Sequence, residues 1–537
     1  MAKFNRTAVR AAVSSVIRTE ATPSGRTHEG APGYARDAKG ELFLLAVANM
    51  VGDKTFYESA GDRDARFRDL VHQVAVDDAE WMAGFLPWLR GEANMRSAPV
   101  AAALEAVRAR LAAGLAGGNR QLVASVLQRA DEPGEALAYW TSTYGRAIPK
   151  PVKRGVADAV RRLYTERSLL KYDTGTRGFR FGDVIDLVHP APAADKPWQG
   201  ALFEHALDRR HGRDEPIPDR LEILRAAQAL AALPVERRRE HVLNPELVTS
   251  PGGLAGAGFT WERLAGWLQG PMDAAAWEAI IPSMGYMALL RNLRNFDEAG
   301  VSDAVAEQVA ARIADPAQVA RSRQFPFRFF SAYMAAPSLR WGHALDKALT
   351  AATANVPEFE GRTLVLVDTS ASMTGVGVSG RSTMTYAQMA ALFGVALAAR
   401  GNTVDLHGFA DGTFRHDVGR GASVLREVER FVDRIGEVGH GTRIADSVRA
   451  TYAGHDRVVI LSDMQTFGGG WAGDVTGAAP KHVPMYGFNL AGYRHGAMPT
   501  GSGTRHELGG MTDATFRMIP LLEAGRNADW PWKSLTT

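Results

Sequence analysis

Leu364-Val365-Leu366-Val367-Asp368-Thr369-Ser370-Ala371-Ser372 decides the reading of this chain, because an apolar run that ends in an acid and two alternately spaced hydroxyls outlines a divalent-metal loop. The four apolar residues read as a buried strand. An extended turn at its carboxyl end points alternate side chains the same way, so Asp368, Ser370 and Ser372 can converge on one hard cation. Mg²⁺ takes such oxygen ligands and keeps some of its waters. Farther along, Gly439-His440-Gly441-Thr442 offers another hydroxyl in a glycine-rich loop, and Val458-Val459-Ile460-Leu461-Ser462-Asp463 repeats the strand that ends in an acid. Taken singly, each piece is more often a helix cap or a turn residue than a ligand. Taken in order, on a stretch that reads strand, helix, strand, helix, strand, they predict three loops sharing one ion.

That ordered set resembles the metal-ion-dependent adhesion site of von Willebrand factor A domains. The resemblance implies an α/β Rossmann-like domain in which Asp368, Ser370 and Ser372 form the first loop, Thr442 the second and Asp463 the third. The ion, expected to be Mg²⁺, would keep a vertex open for an acidic partner group. A competing motif, Gly375-Val376-Gly377-Val378-Ser379-Gly380, satisfies G-x-G-x-x-G ahead of a helical run from Met384 to Ala399. A dinucleotide loop needs its first glycine at the strand's end, and here Asp368 through Thr374 intervene. The glycine run is therefore read as a flexible rim beside the metal.

At 537 residues and 46% apolar composition the chain is long enough for two or more domains, each with its own core. No apolar run approaches the roughly 18 residues of a membrane helix, so no membrane partner is expected. Cysteine is absent, which excludes disulfides, thiolate zinc sites, iron–sulfur centres and cysteine nucleophiles, and suits a cytoplasmic location. The segment Met1 to Ser24 carries Lys3, Arg6, Arg10 and Arg18 against Glu20 alone, a pattern shared with mitochondrial transit peptides. The plainer reading is an opening helix over Thr7 to Arg18, followed by a Pro/Gly-containing arm from Thr22 to Tyr34.

From Gly40 to Thr353 the chain reads as all helix, with examples at Glu41–Met50, Trp81–Arg90, Ala98–Leu115, Leu221–Leu233 and Asp303–Ala314. Breaks are expected at Gly117-Gly118, Pro133-Gly134, Pro149–Pro151, Pro190–Pro197, Pro251-Gly252-Gly253 and Pro337. Helices of roughly ten to eighteen residues between short turns have the rhythm of paired-helix solenoids, although no fixed sequence period accompanies them. A helical bundle stays open as the alternative. Helical periodicity stops at Val356-Pro357-Glu358, which predicts one domain over 1–358 and a second over 359–537.

Lysine and arginine number 62 against 59 acids, so bulk charge makes no case for nucleic acid. Its distribution does. Between Tyr144 and Phe181, Arg146, Lys150, Lys153, Arg154, Arg161, Arg162, Arg167, Lys171, Arg177 and Arg180 face only Asp158, Glu166 and Asp173. Lys150, Arg154 and Arg161 recur at helical intervals with Lys153 one step off, and Tyr144, Tyr164, Tyr172 and Phe179 are interleaved, a surface suited to phosphates and stacked bases. The plainer reading is a solvated helix face. Just downstream, Asp183-Val184-Ile185-Asp186-Leu187-Val188-His189-Pro190 places a histidine at a helix end, where it serves as a cap or contacts phosphate.

The basic helix, the stretch ending at His189-Pro190 and Ala288-Leu289-Leu290-Arg291-Asn292-Leu293, all preceding an A-type domain, resemble the TROVE-domain Ro autoantigen proteins. The Tyr34 and Phe56-Tyr57 region is similar to that family's amino-terminal part. The resemblance implies a ring of HEAT-like helical repeats, closed as a monomer by the A domain, that binds RNA. It implies a central hole for the single-stranded 3′ ends of misfolded or structured RNA, and an outer basic surface for a Y-like small non-coding RNA. Carried over residue by residue, it makes Lys150, Lys153, Arg154, Arg161, Lys171, Arg177, Arg180 and His189 the RNA-facing set. Arg291, Asn292, Arg294 and Asn295 either line the hole or pair within their helical repeat. The same caution applies to Arg321, Arg323 and Arg328.

No G-x-S-x-G elbow, H-E-x-x-H helix or G-x-x-x-x-G-K-[ST] loop is present, so no catalytic apparatus is expected. A single ion with hydroxyl ligands and no evident general base suits recognition of a carboxylate better than phosphodiester hydrolysis. The expectation is an RNA-binding ribonucleoprotein scaffold in RNA quality control or turnover, with catalysis supplied by a 3′ exoribonuclease such as polynucleotide phosphorylase. The alternative is a metal-dependent protein adaptor that is indifferent to the Tyr144–Phe181 cations.

Overall fold

Thr363–Asp368 is buried along its whole length, which explains why a run of Leu and Val with no polar alternation forms a strand here: it has a neighbour on both edges and helices on both faces. A computed structural model describes residues 13–48, 51–250, 252–354, 356–380, 382–401, 403–419, 421–468, 473–510, 515–516, 518–523 and 529–533. In chain order the strands are β1 (Val13–Ser14), β2 (Gly25–Arg26), β3 (Pro32–Ala35), β4 (Thr363–Asp368), β5 (Val404–Phe409), β6 (Thr413–His416), β7 (Arg457–Ser462), β8 (Met485–Asn489), β9 (His495–Gly496), β10 (Ser502–Gly503) and β11 (Arg505–Gly509).

Six of these form one mixed sheet in the order β11-β8-β7-β4-β5-β6. β4 pairs in parallel with β5 and with β7, β7 with β8 and β8 with β11, and only the β5–β6 pair is antiparallel. Chain order therefore reverses at β4, one side running to β5 and the other to β7. Open parallel sheets bind ligands at the carboxyl ends of strands at such a switch point. Leu364 and Leu366 join Val458, Ile460, Ile444 and Val448 in one buried layer. On the opposite face Val367 packs against Gly394 in the helix Tyr386–Arg400, which is capped by Thr385 and Gln388 in a capping box.

Contacts divide the chain into two compact units. One comprises Met1–Ala98, Arg323–Ser331 and Leu345–Thr537, and the other Pro99–Ser322 and Ala332–Ala344. The change from helix to strand does fall between the helix Leu339–Ala352 and β4, but the packing does not follow the sequential division at 358/359. The amino-terminal residues pack with the sheet: β1 pairs with β10 and β3 with β9. Buried Arg36 is ion-paired to Glu507 on β11, and its Nη1 donates to the Tyr493 carbonyl at 2.7 Å. Trp532 seats against Gly84 so closely that a Cβ there would stand 2.3 Å from the indole.

The second unit is helical. Helices stand at Asn119–Val126, Glu132–Tyr144, Lys150–Leu163, Phe181–Val188, Gln199–His211, Glu222–Ala231, Tyr286–Glu298 and Asp303–Ala314, among others. Asn119–Val126 packs on Lys150–Leu163, and Phe181–Val188 on Gln199–His211. Two expectations are corrected. Pro133-Gly134 does not break a helix but opens Glu132–Tyr144, where proline's missing N–H has no intrahelical partner to lose. The opening helix over Thr7 to Arg18 is not found in its described part, where Val13–Ser14 is a strand; residues 7–12 lie outside the described residues. Its hydrogen bonds go to β10 instead of along a helix. No helix among the described residues is long and apolar enough to cross a membrane.

Candidate functional site: an acid pair at the strand ends and a cationic helix

The structure brings Asp368, Ser370, Ser372 and Asp463 together at the carboxyl ends of β4 and β7, and all are buried. Asp368 Oδ1 accepts the Ser370 N–H at 2.9 Å, and Oδ2 accepts the Ser462 hydroxyl at 2.6 Å. The Ser370 and Ser372 hydroxyls lie 3.2 Å apart. Asp463 Oδ1 accepts the Gln465 N–H at 3.0 Å, whereas Oδ2 has no hydrogen-bond partner among the described residues. Burial raises the pKa of both carboxyls, and the Asp368 charge raises Asp463 further, while the Ser372 hydroxyl offsets part of this. Two buried acids with no ion-paired cation among the described residues are costly, a cost that a bound dication would offset. The donor set of two carboxylates and hydroxyls is the oxygen chemistry that Mg²⁺ accepts.

Thr442 is also buried, and its loop is laced to the other two. Its carbonyl accepts the Phe467 N–H and the Thr466 hydroxyl, both at 2.9 Å, and the His440 carbonyl accepts the Ala371 N–H at 2.9 Å. The glycines of this loop serve Asp411, whose Oδ2 accepts the N–H groups of His440 and Gly441 at 3.0 Å each. A Cβ on Gly439 or Gly441 would stand 2.3 Å from that carboxylate, so only glycine allows the approach. Sequence reasoning missed Ser462, whose hydroxyl donates to Asp368, and Asp411, which holds the Thr442 loop. The strand-terminal position of Ser462 beside Asp463 was a signal; Asp411 carried none.

In the helical unit, Lys150–Leu163 buries Val152, Gly155, Val156, Ala159 and Val160 and turns its cations outward. Lys150, Arg154 and Arg161 are exposed and Lys153 half-buried, and among the described residues none of these side chains has an ion-pair partner. Lys171 lies over the Tyr172 ring at 5.2 Å. His189 is exposed and caps Phe181–Val188 in a left-handed conformation with φ 47°. Other members of the expected set are already engaged. Arg180 is paired with buried Asp173 at 2.9 Å, and Arg177 faces Asp131 at 3.8 Å and Glu135 at 3.6 Å. Tyr164 is buried and stacked on Phe181 at 3.7 Å, which takes it out of any base-stacking surface.

A cavity of about 260 Å³ opens beside these residues, bounded by Asp131, Glu135, Tyr164, Tyr172, Arg177 and Phe179. On the helix Tyr286–Glu298, Asn292 is buried and donates to the Ala288 carbonyl at 2.7 Å, Asn295 donates to Asn292 at 2.8 Å, and Arg294 faces Glu298 at 3.4 Å. These three therefore pair within their own helix, and Arg291 is left exposed. Arg328 lies over the Phe327 ring at 5.1 Å.

Fold and site define a protein with a large helical region and a mixed α/β sheet whose strand ends hold a buried acid and hydroxyl cluster. Residues 257–341 match the TROVE domain family model, a span that includes the Ala288–Leu293 stretch. A segment of 76 residues, 14% of this chain, is 42% identical to the telomerase protein component 1 of Mus musculus and equally to that of Rattus norvegicus; it spans 3% of the length of those relatives. The crystal structure of the Deinococcus radiodurans Ro (Rsr) protein is similar with a TM-score of 0.61 and 18% identity, over 89% of this chain and 99% of that one. The chain thus carries a TROVE domain segment and has the fold of a Ro protein, as the resemblance read from its motifs implies.

Proposed function

We propose that this protein is an RNA-binding scaffold rather than an enzyme, built from HEAT-like helical repeats arranged as a ring together with a von Willebrand factor A-like domain. The observation that carries the reading is the stripe of unpaired cations, Lys150, Lys153, Arg154 and Arg161, on the outer face of one helix in a TROVE-type chain. Cations without carboxylate partners are the ones available to phosphates. Lys171 and His189 extend the set, and Arg177 and Arg180 contribute less because acids already hold them. In this reading the bound RNAs are a Y-like small RNA and RNAs with single-stranded 3′ ends, a 3′ exoribonuclease of the polynucleotide phosphorylase type degrades them, and the protein works in the cytoplasm.

The same proposal gives the acid cluster a Mg²⁺ ion held by Asp368, Ser370, Ser372, Thr442 and Asp463. Bound there, the ion supplies a positive charge able to recognise a carboxylate. The orphaned Asp463 Oδ2 and the uncompensated acid pair support this.

The test is binding of the purified protein to a hairpin RNA with a single-stranded 3′ tail and to its blunt-ended counterpart across a salt series. Tail-preferring binding should fall steeply with salt, and Lys153→Ala/Arg154→Ala should lower the slope of log K against log salt by about 1 to 2. Binding to neither RNA would replace the scaffold with a metal-dependent protein adaptor.

A further inference from the structure

The cavity of about 260 Å³ lies within the helical unit, and its walls carry a chemistry that the cationic stripe does not use. One wall is the helix Glu132–Tyr144 with Asp131 just before it, and another is the segment that joins the helix Glu166–Tyr172 to Phe181. Gly134 lets the two meet: a Cβ there would stand 3.0 Å from the Phe179 carbonyl oxygen. Tyr172 and Phe179 are half-buried, so each leaves part of its ring open at the cavity that both border. Pockets for drug-sized ligands run from roughly 300 to 1,000 Å³, and this smaller one suits a single flat ring system.

Tyr164 supplies the polar point of this cavity. Its ring is fixed by the stack on Phe181 at 3.7 Å, yet its hydroxyl, in a residue only 1% exposed, has no hydrogen-bond partner among the described residues. Burial, and then the charges of Asp173 and Asp131, raise its pKa, so the hydroxyl keeps its proton and can donate. A buried hydroxyl left unpaired is costly, and a ligand carbonyl beside it removes that cost. The same cavity is bordered by two carboxylates, Asp131 and Glu135, which accept from N–H donors. Arg129 holds Asp131 at 3.2 Å, whereas Arg177 comes only to 3.8 Å from Asp131 and 3.6 Å from Glu135, longer than a hydrogen bond. Its side chain, 42% exposed, is thus a rim cation able to turn to a phosphate.

We propose that this cavity binds one guanine base, carried either by a free nucleotide or by an unpaired position in RNA. Guanine's Watson–Crick edge presents a carbonyl next to two N–H donors, the order that a phenol donor and carboxylate acceptors can meet; uracil's single N–H between two carbonyls does not match it. The base stacks on the open ring surface of Phe179 or Tyr172, and its phosphate meets Arg177 at the rim. The inference goes beyond the RNA reading, which assigns phosphates to the exposed face of Lys150–Leu163 and no base to any cavity.

Calorimetric titration of the full chain with guanosine 5′-monophosphate (GMP) and uridine 5′-monophosphate (UMP) tests this in the wild type, Tyr164→Phe and Ala138→Phe. Tyr164→Phe keeps the stack on Phe181 and removes only a hydroxyl without a partner among the described residues, and Ala138→Phe puts a ring into the cavity from its helical wall. Thermal melts check the fold of both, and Tyr164→Phe decides alone if Ala138→Phe does not fold. The expected result is saturable GMP binding about tenfold or more tighter than UMP in the wild type, a preference cut about fivefold in Tyr164→Phe, and GMP binding lost in Ala138→Phe. No GMP binding by the wild type, equal affinity for GMP and UMP, or folded variants that bind GMP as the wild type does would each overturn the proposal. Competition separates the two sources: GMP that displaces a hairpin RNA with a guanosine in its single-stranded tail, but not one with an all-uridine tail, assigns the pocket to RNA, and GMP that displaces neither assigns it to a free nucleotide. The GMP titration reads the same whether or not RNA binds, so failure of the RNA reading and failure of the pocket are told apart.

Discussion

His506 shows how one buried side chain ties stability to acidity. It lies in β11, stacked on Tyr486 at 5.4 Å, and its Nδ1 has no hydrogen-bond partner among the described residues. Burial, and then the neighbouring Arg505 charge, push its pKa down to about 4. The unfolded chain takes up this proton as pH falls through about 6.5, whereas the folded one resists until about 4. The unfolded state therefore binds more protons across that window, and stability is lost as pH falls, by about 3 kcal/mol at most from this group. Denaturant midpoints between pH 7 and 4.5 should drop steeply in the wild type and less in His506→Phe, which leaves the same-signed contributions of His407 and His416. An equal drop in both proteins would assign the acid sensitivity elsewhere. At this scale the legible residues were those whose role follows from spacing. Asp368, Ser370 and Ser372 alternate in sequence, but they meet where β4 ends and the short helix Ala371–Thr374 begins, with Ser370 as its N-cap, rather than along the extended turn that the spacing suggests. The bond from the His28 N–H to Gln465 was not legible: 437 positions separate the two, and no local pattern encodes such a meeting. Arg180 and Tyr164 were legible as cation and aromatic but not as engaged ones, because the partner Asp173 and the stacked Phe181 are supplied by packing.

Among the elements, the helix Tyr386–Arg400 positions β4, whose end carries Asp368, through a glycine. Gly394 has no side chain because Val367 and Leu406 fill that space: a Cβ there would lie 2.6 Å from Val367 Cγ2 and 3.1 Å from Leu406 Cδ1. Relief requires moving β4 or the helix, since both are packed on their far sides. Gly394→Val should therefore destabilise by about 1–3 kcal/mol through overpacking, with no helix-propensity gain from a β-branched residue large enough to compensate. Chemical denaturation measures it, and a variant as stable as the wild type would show that the β4–helix contact is looser than its distances imply. Elements were the most legible level. The expected helix at Asp303–Ala314 matches the observed one, and those at Trp81–Arg90 and Met384–Ala399 differ from Ala79–Gly91 and Tyr386–Arg400 only at their ends. Their apolar positions recur at helical spacing and caps mark their starts. The misreadings share a cause. Pro133 punctuates a chain either by ending a helix or by starting one, and Val13–Ser14 is a strand because of a partner far along the sequence, Ser502–Gly503.

At the scale of the whole molecule, the two candidate sites belong to different compact units: the acid cluster to the one that contains the sheet, the cationic helix to the helical one. A sequence read from left to right divides where helices give way to strands; contacts instead unite Met1–Ala98 with the sheet, because Arg36, β1, β3 and the tryptophans at Trp530 and Trp532 satisfy one another only after the chain returns. Separate units predict separable losses. Asp368→Ala removes a carboxylate that the proposed ion needs, so the rise in melting temperature on adding Mg²⁺ to the metal-free protein should vanish. The same change takes away the acceptor for the Ser370 N–H and the Ser462 hydroxyl, which lowers stability without any ion. Asp368→Asn keeps an acceptor there and separates the two effects. In both variants the affinity for tailed hairpin RNA should stay within about twofold of the wild type, because the proposed phosphate contacts are Lys150, Lys153, Arg154 and Arg161, each contributing through its own charge. A tenfold or larger loss of RNA affinity in Asp368→Asn, with the fold intact, would mean that the acid cluster and the RNA surface act as one site. The division of labour between the units would then have to be abandoned.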